Sequence, residues 1–106
     1  MTVDNSLLQA ILQRIKSVCQ PSLVILFGSA ATGKMTADSD IDLLVIEPAP
    51  ANPRKESVVI RQALRGLPHP FDIIVMSHQR FDETKNVIGG IAYPAHKYGK
   101  VIYEAA

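Results

Sequence analysis

The sequence predicts a small α/β (α+β) domain: a mixed β-sheet flanked by helices. Two observations carry this. Apolar runs of strand length stand at Leu23–Phe27, Ile41–Ile46 and Phe71–Met76, and segments of helical periodicity alternate with them, punctuated by Pro and Gly. The 106 residues are 47% apolar, enough for a single core, so 1–106 reads as one domain.

Asp4, Asn5 and Ser6 offer caps for a first helix. Its apolar residues fall at Leu7, Leu8, Ile11, Leu12, Ile15, Val18 and Cys19, and Pro21 stops it. Cys19, on that apolar face, reads as a buried structural thiol, and a lone cysteine leaves no internal disulfide or cysteine-rich zinc site. Leu23–Phe27 is a strand buried on both faces. Gly28 to Gly33 is small enough for a tight turn into a short helix. Lys34 to Ser39 is a polar loop in which Asp38 and Ser39 shape the approach to Asp40.

After the second strand, Pro48 to Pro53 forms a loop. Arg54 to Arg65 then reads as a helix with Val59, Ile60, Ala63 and Leu64 inward and Gly66 at its end. Arg54, Lys55, Arg61 and Arg65 make a solvated face within reach of a phosphate or an acidic partner. Ser77, at the end of the third strand, is placed to cap the next helix. Gly89-Gly90 and Pro94 break the remainder into short helices at 79–85 and 94–98. Gly99 then closes the second of these before a last strand at 101–103. Tyr93, Tyr98 and Tyr103 pack this end against the sheet or a partner, and His69, His78 and His96 show no ligand spacing.

Charge narrows the function. Charged residues make up 20% and the net charge is +1, so there is no strong nucleic-acid signature. The first residues are neither basic nor followed by an uninterrupted apolar segment, and no apolar run approaches the ~20 residues of a membrane span. A cytoplasmic protein is the expectation.

The chemistry concentrates at Gly28-Ser29, ten residues, then Asp40-Ile41-Asp42. Strand side chains alternate, so Asp40 and Asp42 share a face and Ile41 points away. Asp72 repeats the pattern of an acid inside an apolar run, which is costly to bury without a partner or metal. If the second and third strands are neighbours, Asp72 lies beside Asp42 and the acids Asp40, Asp42 and Asp72 surround divalent cations. Magnesium suits that donor set, because it takes carboxylates together with substrate phosphates. Asp40 and Asp42 would hold the ion carried by a nucleoside triphosphate, and a second ion would lie among all three. Asp72 would receive the proton of the acceptor hydroxyl. Gly28 admits the triphosphate to the backbone, and Ser29, near a helix N-terminus, binds its terminal phosphates.

This combination resembles the nucleotidyltransferase superfamily of DNA polymerase β type, and the short length resembles its minimal branch, the MNT or MntA-like proteins. The similarity runs from about Leu23 to Met76, and Tyr98-Gly99-Lys100-Val101-Ile102-Tyr103 also fits that branch. The resemblance implies the polymerase β-like fold and an EC 2.7.7-type enzyme moving AMP from ATP, with Mg²⁺. It also implies a HEPN-domain toxin as partner, with this chain as antitoxin adenylylating a hydroxyl of it. One departure stands out: many relatives carry arginine in the turn after Gly-Ser, whereas here it is Ala30-Ala31-Thr32-Gly33, with Lys34 the nearest replacement. Two alternatives stay open: a module that neutralises its partner by contact, and transfer to a small molecule.

Overall fold

The computed structural model describes residues 3–36 and 39–105, so Asp38 lies outside the described residues. In chain order the elements are α1 (Asn5–Val18), β1 (Leu23–Phe27), α2 (Ser29–Thr32), β2 (Ile41–Glu47) and α3 (Pro53–Ala63). They continue with β3 (Phe71–Ser77), α4 (His78–Thr84), α5 (Ala92–Tyr98) and β4 (Lys100–Glu104). The strands form one sheet in the order β3-β2-β1-β4, with β2 and β3 parallel and the other neighbours antiparallel. This is the mixed, helix-flanked sheet the sequence predicts.

Parallel neighbours need a crossover, and α3 supplies it between β2 and β3. Asn52 caps α3 by accepting from the Lys55 N–H at 3.1 Å, and Pro53 sits where the missing N–H costs nothing. At the other end the Arg14 guanidinium, reaching across from α1, donates to the carbonyls of Ala63 and Arg65. Asp4 caps α1 through the Leu7 N–H at 2.8 Å, and Ser77 caps α4 through the Arg80 N–H at 3.1 Å.

Alternation along the strands divides the core in two. Leu26, Ile41, Leu43, Val45 and Ile73 pack with Ile11 and Ile15 of α1 and with Ile60 and Leu64 on one face. Ile25, Phe27, Leu44, Ile46 and Met76 pack with Phe81 of α4 and with Ala92 and Ala95 of α5 on the other. Gly99 lets β4 turn in close behind α5, where a Cβ would meet the Ala95 and Leu26 carbonyls.

Two expectations are corrected. Val59 is 39% exposed rather than inward, because the buried row of α3 runs through Ile60 and Leu64 and is shared one turn earlier by Glu56. Cys19 packs against the same core as Ile11 and Ile15 but is half-buried rather than buried, because it caps the C-terminus of α1, its backbone N–H donating to the Ile15 carbonyl. Burial raises its thiol to about 11, and the Glu47 and Glu56 carboxylates add to the shift.

Candidate active site

The acids meet through strand register. Parallel pairing sets Asp42 opposite Asp72, and antiparallel pairing sets Asp42 opposite Phe27, the residue before Gly28. Three backbone segments therefore bring Gly28, Asp42 and Asp72 side by side at one end of the sheet. Alternation puts Asp42 and Asp72 on the face that carries Leu44, Ile74 and Ile46. The Ile41 N–H donates to the Pro70 carbonyl at 2.9 Å and fixes the entry of β2 beside β3.

Asp40 stands two residues before Asp42 and is exposed, as is Asp72, whereas Asp42 between them is half-buried. The turn before Asp40 is held by Ser39, whose N–H donates to the Thr36 carbonyl and whose hydroxyl accepts from the Thr36 N–H at 2.9 Å. Burial is the first cause that raises the Asp42 carboxyl above its ordinary value, followed by repulsion from Asp72 and then Asp40. Asp42 therefore feels the charge of both other acids.

Gly28 has φ 71° and ψ −151°, a conformation open essentially to glycine alone, and a Cβ there would collide with Asp42 Oδ2. It leads directly into α2, whose buried Ala30 and Ala31 anchor the turn in the core. Ser29 opens that helix and is half-buried, and its carbonyl accepts from the Lys34 N–H at 3.1 Å. The Lys34 side chain is exposed, and among the described residues it forms no ion pair with the acids.

The donor set suits a hard divalent cation: carboxylate oxygens that repel one another beside a glycine-lined gap. Among the described residues no three His, Cys, Asp or Glu side chains are already drawn together as a metal cage. An ion here would be completed by ligands from a substrate, the usual habit of magnesium. The sheet, the acid pair on neighbouring strands and the glycine turn define the class of nucleotidyl-transfer domains.

Residues 6–90 match the model of the nucleotidyltransferase domain family, and the chain belongs to that family. No curated protein matches it significantly. Solved structures share its fold. A toxin–antitoxin solved with AMP-PNP superposes with a TM-score of 0.72 at 18% identity, over 92% of this chain and 73% of that one. A doubly substituted MntA–HpeT toxin–antitoxin gives 0.69 at 15% identity, with the same coverage of 92% and 73%. A protein assigned as a nucleotidyltransferase, from Sulfolobus solfataricus, gives 0.60 at 22% identity, over 92% and 78%.

Glu47 is a residue that hydrophobic patterning does not single out, since it only ends an apolar strand. It is 7% exposed and faces Glu56 of α3, with Oε2 of each residue buried and unpartnered. An acid at the edge of an apolar run is the one signal of it in the sequence.

Proposed function

We propose that this nucleotidyltransferase moves AMP from ATP to a hydroxyl of a partner protein, as the antitoxin of a HEPN-type toxin–antitoxin pair. The observation that carries the reading is the register match of Asp42 with Asp72 beside Gly28. Support for the nucleotide and the partner comes from the fold neighbour solved with AMP-PNP, itself a toxin–antitoxin.

In this reading Asp40 and Asp42 hold Mg²⁺ together with the triphosphate, and Asp72 joins them on the acceptor side. When bound there, the ion would neutralise phosphate charge and lower the pKa of the acceptor hydroxyl. Gly28 gives the triphosphate room, and the hydroxyl and N–H of Ser29 bind its terminal phosphates, with Lys34 close in sequence as a further cation. Asp72 takes the proton of the acceptor hydroxyl as its oxygen bonds to the α-phosphorus. The bond from the α-phosphorus to the bridging oxygen breaks in line, and pyrophosphate leaves.

Calorimetric titration with ATP, with and without Mg²⁺, tests the site. The wild type should bind only with magnesium, and a folded Asp42→Asn variant should lose that binding. Label from α-labelled ATP should then reach a co-purified partner with the wild type and not with Asp72→Asn. Neutralisation of the partner by Asp42→Asn as strong as by the wild type would instead make the chain a contact inhibitor.

A further inference from the structure

The same end of the sheet carries a feature the acids do not use. An open groove of about 540 Å³ lies between the C-terminal half of α3 and the start of β3, lined by Val58, Arg61, Arg65, Leu67, His69 and Phe71. It ends at Phe71 on the α3 face of the sheet, whereas Asp72, the next residue, points to the opposite face. Groove and acid pair therefore meet only across the open edge of β3, which an extended chain with alternating side chains would span. Arg54, Arg61 and Arg65, spaced by seven and four, fall on one exposed face of the helix direction, with Val58 45% exposed between them. Among the described residues none of these arginines has an acidic partner, because the one acid of α3, Glu56, is turned inward to Glu47. His69 Nδ1 is buried with no hydrogen-bond partner.

Beside this row runs the outer edge of β3, which has β2 on one side only. A second hollow of about 410 Å³, lined by Arg54, Ser57 and Ile73 among others, continues the strip along that edge. An open strand edge offers backbone donors and acceptors to an extended chain. The flanking guanidinium groups select for carboxylates, and Val58, Leu67 and Phe71 accept apolar side chains. A chain of net charge +1 that gathers unpaired arginines on one strip has a local bias its total conceals.

We propose that the α3–β3 edge docks an acidic, partly apolar extended segment of the acceptor protein and so delivers its hydroxyl to Asp72. This rests on the reading that the acceptor is a protein. Nucleic acid suits the strip less well, since Val58, Leu67 and Phe71 line the groove between the arginines where a phosphate backbone would need cations.

Fluorescence anisotropy tests it with three probes: a labelled peptide of alternating Glu and Leu, its Lys-for-Glu counterpart, and a single-stranded oligonucleotide. The acidic peptide should bind the wild type in a salt-sensitive way. It should bind Arg61→Glu/Arg65→Glu at least about tenfold more weakly and Arg61→Lys/Arg65→Lys at an intermediate strength. Circular dichroism checks that each variant is folded, with the lysine pair as the conservative control. No binding of the acidic peptide to the wild type, equal binding to the reversed variant, or arginine-dependent binding of the oligonucleotide in its place would overturn the proposal. Magnesium-dependent ATP binding, measured on the same variants, should be unchanged. Its loss from the wild type would strike the catalytic reading instead, which separates the two failures.

Discussion

Gly28 shows how one residue ties backbone to chemistry. Its backbone lies where an L side chain is strained, and the space a Cβ would take belongs to Asp42 Oδ2. Gly28→Ala should therefore lose roughly 1–3 kcal/mol of stability and displace the Asp42 carboxylate. Calorimetry on the folded variant should show a larger drop in magnesium-dependent ATP binding than the loss of stability explains. Full ATP binding would mean the gap serves folding only. At this scale the candidate site is largely legible in the sequence: Gly28, Ser29, Asp40, Asp42 and Asp72 stand out because acids and glycine interrupt apolar runs. The collision between Gly28 and Asp42 is not legible, since it depends on the pairing of Phe27 with Asp42.

Between elements, the contact of Glu47 on β2 with Glu56 on α3 makes stability respond to pH. Burial first, then repulsion from Glu56 and the hydrogen bond with it, push the Glu47 carboxyl from 4.5 up to about 6. The thiol of Cys19, at the end of α1, faces the same pair. A carboxyl that keeps its proton longer when folded stabilises most below the unfolded value of 4.5, and that stabilisation is lost as pH rises through about 6. Glu47→Gln keeps the shape and removes the ionisation. It should exceed the wild type by on the order of 1–2 kcal/mol near neutral pH, with the gap closing toward the acid end. Urea melts across that range check this, and a variant no more stable at neutral pH refutes it. Periodicity locates α3 to within about two residues but puts Val59 inside, because the helix spends an inward position on Glu56, which no hydrophobic pattern marks. Likewise, the Arg14 cap on α3 joins residues 49 apart and leaves no local trace.

For the whole molecule, the order β3-β2-β1-β4 leaves β1 and β2 central and the other two strands at the edges. Leu43, Leu44, Val45 and Ile46 are each 0% exposed, whereas β4 pairs on one side through a shifted register near Val24 and Ile25. Hydrogen exchange followed by mass spectrometry should find β2 amides slowest and β4 amides opening well before them. Equal protection would mean the molecule opens only as a unit. Alternation of strand and helix makes the fold class readable. Strand order is not readable, since apolar runs buried on both faces look alike wherever they sit in a sheet.

The facing of Asp42 and Asp72 in parallel strands has a kinetic side. Sliding β3 by a single residue would set Phe71 or Ile73 against Asp42 and send Asp72 to the opposite face. Parallel strands cannot zip from a hairpin; they wait for the crossover through α3 to close. The acid pair therefore does not exist in a partly folded chain. In the proposed reaction, competence arrives only with the closure that pairs β2 with β3, so a chain that has folded to the wrong register cannot act.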